Sequence, residues 1–383
     1  MRTGTPDLDD AEELFSADVD GLLRGVALAG AQVRAIAEAE REGVLEPLAD
    51  LRPRSVVIVY GGAGIAARAA TLIVAAVSAR IDVPIVTAPT LPGWIGPLDV
   101  VVIAGDDAGD MALADAAARG LRRRAEVVVV APIAGPLRDA LGGNGIDLSP
   151  RLDIEPRLRF VGFAAAFLAV LSGLRAVRFM PTAPPLDEVA DALDAEASAG
   201  HPGRQSFHNR AKALALRVQG RPVVWSGDSP AATVVATHAA ASFVALAGVI
   251  CAAADLGDAA ASVAVSGNDS GAASAVDSIF YDPEIDGPRA GMPTRVLVAT
   301  TAAREWFTRR RVGGLADVEL LIGDDTESGE RRSESGAPEW ASPPAPGEDV
   351  VADSPVNLMS FLILVLRMEL AAVYLRLVGN TVR

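Results

Sequence analysis

The residues best suited to hold an anion form a short glycine-rich loop. It follows the run SVVIVY (55–60), whose β-branched residues are typical of a buried strand, and precedes a predicted helix over Ile65–Ala79. Glycines let the backbone approach an anion, and amides at a helix N-terminus favour phosphate. The spacing is not G-x-G-x-x-G and no acidic residue ends the second strand, so a dinucleotide is disfavoured; a plain strand-to-helix turn is the alternative. The loop residues are Gly61, Gly62, Ala63 and Gly64.

A second polar loop follows the strand predicted over DVVVIAG (99–105). This loop, AGDDAGD (104–110), contains three aspartates and no hydroxyl side chain. Carboxylates repel a phosphate dianion, but they can accept hydrogen bonds from sugar hydroxyls or coordinate Mg²⁺. Aspartate in a glycine-containing turn is also ordinary turn chemistry. The three carboxylates belong to Asp106, Asp107 and Asp110.

The second half of the chain repeats the order of strand, small-residue loop and helix. RPVVWSG (221–227) is a predicted strand, and a long alanine-rich helix is predicted over Pro230–Leu256. The loop between them is the best hydroxyl-bearing loop at a strand end. It is therefore the favoured place for a phosphate if only one phosphate site persists. Its candidate ligand residues are Ser226, Gly227 and Ser229.

Two side chains on predicted helices of the second half could also carry chemistry. His238 has the pKa range of a general base but no evident partner, and a core histidine is the alternative. Lys212 is the only lysine among 34 basic residues, in a chain rich in alanine, glycine and arginine. A lysine kept in such a composition is a candidate ligand residue; chance survival on a helix surface is the alternative.

Short apolar runs alternate with longer amphipathic segments, which predicts βαβ units, parallel sheets and an α/β fold. Further strands are predicted over Val83–Ala88, Glu126–Pro132, Ala261–Gly267, Thr294–Thr301 and Asp317–Gly323. The final helix is expected to end near Val378, with Arg367 and Arg376 on its polar face. The expected divisions are an N-terminal helical segment (1–45), a first domain (46–180), a crossover linker with a short acidic helix (181–206), and a second domain (207–383) with a mobile insert (324–353).

These segments resemble the sugar isomerase (SIS) domains of the bifunctional phosphoglucose/phosphomannose isomerases. GGAGIAAR (61–68) stands where that family has G-G-S-x-I-x-G, and LPGW (91–94) matches its Leu-Pro-x-aromatic turn. NRAKALA (209–215) matches its N-x-A-K-x-L-A helix, so Lys212 lies inside a family motif. The similarity spans about residues 50–378 and is nearest to the actinobacterial SIS proteins labelled TobH-like. It implies two tandem αβα SIS domains, a phosphorylated sugar or carbohydrate derivative as ligand, and a homodimer.

The catalytic motifs of that family are degenerate here. Ala63 replaces the phosphate-loop serine, and AGDDAGD (104–110) replaces the S-x-S-G-N-T loop. The family's catalytic glutamate, the base for an enediol reaction, has no counterpart, and no histidine follows His238. Its catalytic arginine corresponds to Arg157 or Arg159. The resemblance therefore implies sugar-phosphate binding without isomerisation; an active glucose-6-phosphate/mannose-6-phosphate isomerase with a rearranged site, or a structural or regulatory dimer, is the alternative.

Among these segments SGNDSG (266–271) imitates S-G-N-T by composition, but it follows the wrong strand for the family's phosphate loop. It could form an anion-binding nest of backbone amides, although a loop of ordinary composition is the expected outcome.

Composition excludes several other functions. A net charge of −15 argues against nucleic-acid binding, which needs a basic surface. The single cysteine, Cys251, excludes a disulfide framework and a cysteine-built zinc site, and no metal or other cofactor is expected. The sequence shows no apolar signal region, and the apolar stretch Leu358–Leu366 is interrupted by Arg367 and Glu369, short of the ~20 residues of a membrane span. We therefore expect a soluble cytoplasmic protein without a membrane partner.

Overall fold

Two parallel sheets organise the computed structural model, which describes residues 6–268, 294–323 and 353–379, with only the backbone described at 264–268. The first sheet contains β1 (Ser55–Val59), β2 (Ile85–Ala88), β3 (Asp99–Ala104), β4 (Glu126–Val130) and β5 (Ile146–Asp147). The second contains β6 (Val223–Gly227), β7 (Ala252–Asp255), β8 (Arg295–Thr300) and β9 (Val318–Ile322). Their spatial orders are β2-β1-β3-β4-β5 and β7-β6-β8-β9.

Helices cover the faces of these sheets and precede the first strand. In chain order they are α1 (Ala11–Ala17), α2 (Leu22–Ala27), α3 (Ala29–Arg41), α4 (Gly64–Val77), α5 (Met111–Arg122), α6 (Gly135–Leu141), α7 (Phe160–Gly173), α8 (Leu186–Ala199), α9 (Arg210–Val218), α10 (Pro230–Ala247), α11 (Leu256–Asn268), α12 (Glu305–Val312) and α13 (Leu358–Val378). The predicted N-terminal helical segment and the acidic helix of the crossover are thus present, and α3 packs against α8.

The first sheet is buried on both faces because its central strands consist largely of valine and isoleucine. Side chains alternate across a strand. Val56 and Ile58 of β1 therefore join a core with residues of α4 and α7, while Val57 and Val59 join a second core with residues of α5 and α6. This arrangement confirms the predicted layers of helix, sheet and helix.

The second sheet is built in the same way and shares a core with the first. Trp225 and Leu297 join the core that contains Val56 and Ile58, and Val298 joins a separate core with residues of α11. One core therefore links the two halves, and within it α10 packs against both α4 and α13.

The strand orders place one topological switch point in each sheet. The chain leaves β1 towards β2 and leaves β3 towards β4; likewise it leaves β6 towards β7 and β8 towards β9. Open parallel sheets bind ligands outside the carboxyl ends of the two strands at such a point. We call the loops Gly61–Gly64 and Ala104–Asp110 the first edge, and the loops Gly227–Ser229 and Thr300–Arg304 the second edge.

The last helix, α13, is buried almost all round. Arg367 was expected on a polar face, but that prediction is wrong: its Nε donates to Glu196 Oε1 at 2.7 Å and its Nη1 to the Ile322 carbonyl at 2.8 Å. Arg376, at the end of the helix, is more exposed and pairs with Asp20. An arginine with its hydrogen bonds satisfied can be buried in a core helix.

Two helices of the described chain are long and apolar enough to cross a membrane by length and composition alone, α10 and Pro355–Val378. The second runs through Arg367 and Glu369, so the apolar stretch is longer than the sequence suggested. Of its most apolar window, 94% is buried inside the protein, and packing in the core accounts for that composition.

Three sequence predictions after β6 need correction or fall outside the structure. The long helix ends at Ala247 because Gly248 adopts a left-handed conformation (φ +67°) and caps it. The segment Ala252–Asp255 is then a strand, and the strand predicted over Ala261–Gly267 lies within α11. The loop SGNDSG begins inside α11 and continues beyond the described residues, as does the expected insert 324–353 except for Asp353.

Candidate functional site

The glycine loop of the first edge leaves backbone donors without a side-chain cap. Helix α4 begins at Gly64, and its N-cap residue Ala63 supplies no side-chain hydrogen bond. Gly61 has φ +53°, and a Cβ there would overlap the Asp110 carboxylate, so this position requires glycine. Uncapped amides at the start of a helix of this length favour an anion.

The aspartates of the neighbouring loop have distinct structural roles. Asp110 Oδ1 accepts from the Ala112 amide at 2.7 Å and caps α5, while its Oδ2 accepts from the Gly62 amide at 3.0 Å. Asp107 Oδ1 accepts from the Gly109 amide at 2.7 Å, as in an ordinary Asx turn. Within the described residues no group of three or more acidic, histidine or cysteine side chains could hold a metal ion.

Asp106 and the two candidate arginines lie on the side of the first edge near α7. Arg159 Nη1 lies 3.2 Å from Asp106 Oδ1, and its Nε donates to the Ile154 carbonyl. Burial raises the pKa of Asp106, and the charge of Arg159 opposes that rise. Arg157 instead pairs with Glu155 and donates to the Ala245 carbonyl of α10. Arg159 is therefore the arginine that the structure brings to the first edge.

Arg68 is a residue of this site that the sequence analysis left without a role. It lies one turn into α4, and its Nη1 is 3.4 Å from the point where a Cβ on Gly64 would be. Its Nε donates to His238 Nδ1 at 3.3 Å, whereas Nη1 and Nη2 have no hydrogen bond or ion pair among the described residues. The sequence did contain a signal for this position. Arg68 follows Gly64 by four residues, and residues four apart lie on the same face of a helix, so the side chain lies near the start of α4.

His238 is fully buried and has the partner that the sequence did not reveal. Its Nε2 lies 2.9 Å from Glu369 Oε1 on α13 and 3.2 Å from Ser242 Oγ. The Phe160 ring lies against the imidazole, with ring centroids 4.1 Å apart. Burial lowers the pKa of His238 well below its usual value and raises the pKa of Glu369 to about 8, the latter despite the charge of Arg68. The imidazole is therefore neutral and shielded from substrate, so it is not placed as a general base.

The second edge is packed shut around a buried aspartate. Ser226 is fully buried, and the Ser229 hydroxyl accepts from the Ala232 amide as the N-cap of α10. A Cβ on Gly227 would overlap the backbone of Ala232, so the loop lies directly on the helix. Asp228 between them accepts hydrogen bonds from hydroxyl and guanidinium donors on Thr300, Thr308 and Arg304. The Ser229 hydroxyl expected to bind phosphate here therefore already caps a helix, and the Ser226 hydroxyl is shut away from solvent.

Lys212 was expected to contact a ligand, and the structure contradicts that prediction. Its side chain is fully buried, and Nζ donates to the carbonyls of Pro202 and Arg204 at 2.7 Å each. Nζ also lies 3.7 Å from Asp9, and burial lowers the pKa of the ammonium. The lysine fixes the turn before α9, because an ammonium can donate to two carbonyls at once.

A small cavity lies beside Arg159, between α3, α7 and the end of the first sheet. Its volume is about 40 Å³, and Gln32, Ile36 and Phe163 are among its mostly apolar lining residues. A few water molecules fit in that space.

With the geometry described, comparison with solved structures identifies the fold. A hypothetical protein from Thermus thermophilus superposes with a TM-score of 0.60 at 12% identity, covering 96% of this chain and 88% of that one. The tagatose-6-phosphate ketose/aldose isomerase from Escherichia coli superposes with a TM-score of 0.53 at 12% identity, covering 93% of each chain. No protein-family model matches the sequence, and no curated protein matches it. The chain has the SIS-type α/β fold with two parallel sheets, and at this identity the likeness concerns the fold alone.

Proposed function

We propose that the protein binds a phosphorylated sugar or sugar derivative at the first edge and does not isomerise it. The observation that carries the proposal is the position of Arg68, whose Nη1 lies beside Gly64 at the uncapped start of α4 and has no hydrogen bond within the described residues. A guanidinium fork and free helix amides together supply the charge and the donors that a phosphate dianion needs.

The sugar would extend from the phosphate towards the neighbouring aspartate loop. Asp107 is exposed there, and one of its oxygens is engaged only in a local turn. Carboxylate oxygens are suited to accept hydrogen bonds from sugar hydroxyls. The fold shared with an Escherichia coli tagatose-6-phosphate ketose/aldose isomerase supports the choice of a phosphosugar as ligand class.

The absence of isomerisation is proposed because two candidate bases near the first edge, Asp110 and His238, are already engaged by the fold. Asp110 holds two backbone amides, one through each carboxylate oxygen. His238 is buried behind Arg68 with both ring nitrogens engaged. An aldose–ketose isomerase needs a group that takes and returns a proton at the substrate carbon.

An active isomerase is the second candidate, and one observation favours it. Asp106 is mostly buried and has a raised pKa, which is the environment that brings a carboxyl closer to neutrality. Arg159 beside it could stabilise a developing enediolate oxygen. In this alternative Asp106 is the base and Arg159 the electrostatic partner.

Calorimetric titration with hexose phosphates tests the binding proposal. We expect the wild-type protein to bind glucose 6-phosphate, mannose 6-phosphate or fructose 6-phosphate but not glucose. At 100 times Kd the ligand should add about 2.7 kcal/mol to the free energy of unfolding. Arg68→Met should weaken binding at least tenfold, roughly the effect of one charge-assisted hydrogen bond, whereas Arg138→Met, at an exposed pair with Asp139, should not. No binding of any of the three at millimolar concentration would reject the proposal.

A coupled assay separates the two candidates. We expect no interconversion of glucose 6-phosphate and fructose 6-phosphate, or of mannose 6-phosphate and fructose 6-phosphate, above the uncatalysed rate. Turnover by the wild-type protein that disappears in Asp106→Asn would establish the isomerase instead.

The predicted homodimer stays a prediction, since the structure contains one chain. We propose it on the resemblance to SIS proteins alone, and the cytoplasmic location likewise stays a prediction. Sedimentation at micromolar concentration should give twice the monomer mass; a monomer there would contradict the dimer.

A further inference from the structure

A buried acid–imidazole pair lies where the two halves of the molecule meet. His238 comes from α10 and Glu369 from α13, and both side chains are almost completely excluded from solvent. Arg68, from α4 in the first half, reaches this pair with its Nε. Burying a carboxyl and an imidazole costs free energy. Their presence next to an arginine of the first edge therefore suggests that they act on that arginine.

The hydrogen bonds run in one direction through the three side chains. The Nε–H of Arg68 donates to Nδ1 of His238, so the ring proton of the neutral imidazole resides on Nε2. Nε2–H then donates to Glu369 Oε1 at 2.9 Å. Phe160 packs on the ring and limits its rotation. The imidazole is thereby fixed as an acceptor for the arginine.

Holding Arg68 by Nε fixes the plane of its guanidinium. The two Nη groups are left unpaired among the described residues, and Nη1 lies next to Gly64 at the start of α4. A planar fork held in one orientation loses less entropy on binding an oxyanion than a free side chain does. A lysine ammonium has no such plane and could not serve both His238 and an anion with the same geometry.

We propose that Arg68 selects a phosphate dianion at the first edge and that His238 and Glu369 are positioning residues that orient its guanidinium. This inference rests on the proposed function and names the residue that determines its ligand class. It also links the two halves: packing of α10 and α13 sets the affinity of a site formed by α4.

Paired substitutions of His238 test the inference with a conservative rescue. The amide of asparagine can place an acceptor near the Nδ1 position, whereas that of glutamine reaches the Nε2 position instead. We expect His238→Asn to bind fructose 6-phosphate, or whichever hexose phosphate the wild type prefers, within about threefold of wild type, and His238→Gln at least roughly tenfold more weakly. Thermal melting by circular dichroism checks that both variants fold, because a merely structural histidine predicts equal losses.

Two further substitutions, Arg68→Lys and Glu369→Gln, test the inference at the two residues that flank His238 in this hydrogen-bonded series. Arg68→Lys should lose at least roughly tenfold in affinity, and Glu369→Gln should lose less, because its amide oxygen still accepts from Nε2. If either histidine variant does not fold, these two decide. The inference is overturned if Arg68→Lys keeps wild-type affinity, or if folded His238→Asn and His238→Gln bind equally well. In either case the proposed function stands as long as the wild type binds a hexose phosphate. A wild type that binds no hexose phosphate rejects the proposed function itself.

Discussion

The two edges use the same order of strand, small-residue loop and helix, yet one is open and the other is closed. At the first edge a Cβ on Gly62 would have only an Asp110 oxygen, 3.8 Å away, as neighbour. At the second edge a Cβ on Gly227 would meet helix backbone. Gly62 therefore leaves open space at the first edge and Gly227 allows close packing at the second, a difference that the residue type alone does not reveal.

The arginines of the two edges differ in how fully the fold engages their guanidinium groups. Arg304 is engaged by Asp228, with Nε 3.0 Å from the carboxylate and Nη2 donating to the Asp228 carbonyl at 2.7 Å. Among the residues that the structure describes, Arg68 is hydrogen-bonded through Nε alone, to His238. An arginine neutralised by a buried carboxylate stabilises the fold, and one held by a neutral imidazole keeps its charge available for an anion.

The largest expected effect comes from breaking the closed edge at its ion pair. Arg304→Met leaves the buried Asp228 carboxylate without its cation, and we expect a loss of about 3–5 kcal/mol in the free energy of unfolding. Urea denaturation measures it, with Arg309→Met, at an exposed pair with Glu305, as a control that should lose no more than about 1 kcal/mol. Folded Arg304→Met should still bind the hexose phosphate; a stable protein with lost binding would contradict the division of roles.

The next largest difference is expected when one methyl group is added to a glycine of each edge. Gly227→Ala should cost about 3 kcal/mol, because the new Cβ meets backbone atoms of α10 that cannot move aside. Gly62→Ala should cost no more than about 1 kcal/mol, since its neighbour is a carboxylate oxygen at ordinary contact distance. The two urea midpoints give the comparison directly, and similar losses at both positions would show that the first edge is closed as well.

Lys212 offers a test of a residue that belongs to neither edge. In Lys212→Met the carbonyls of Pro202 and Arg204 lose their donor, so we expect a loss of about 2 kcal/mol in the free energy of unfolding. Titration of the folded variant should give wild-type affinity for the hexose phosphate. Weaker binding by a variant of unchanged stability would restore the ligand role predicted from the sequence.

The strands show most clearly how much of the fold can be predicted from the sequence. β-branched runs such as those of β1 and β3 predicted the first sheet, and alternation with helices predicted its parallel topology. Ala252–Asp255 has low β-propensity, so its sequence predicts a continuation of the alanine-rich helix, although Gly248 ends α10 and these residues form β7. The run Ala261–Gly267 alternates like a strand but lies in a helix, because contacts from elsewhere in the fold outweigh local pattern.

The glycine and aspartate loops of the candidate site were predicted from the sequence, but Arg68, which supplies its positive charge in our proposal, was not. Arg68 and His238 are 170 residues apart, and His238 and Glu369 are 131 apart. Their meeting depends on the packing of three helices from different parts of the chain, which local spacing does not encode. Glu369 was noticed only as an interruption of an apolar stretch, yet a buried charge in such a helix is the kind of residue that needs a partner.

The smallest expected change loosens the first edge without touching Arg68. In Asp110→Ala, α5 loses its side-chain cap and the Gly62 amide loses its acceptor, so we expect a cost of about 1 kcal/mol. Asp115→Ala, on the exposed face of the same helix, is the matched control and should cost less, since it breaks only a surface pair with Arg119. Because Asp110 also ties the glycine turn to the aspartate loop, we expect affinity for the hexose phosphate to fall severalfold in Asp110→Ala and to stay unchanged in Asp115→Ala. Stronger binding in Asp110→Ala would instead mean that the carboxylate mainly repels the dianion and that the open edge does not depend on a fixed glycine turn.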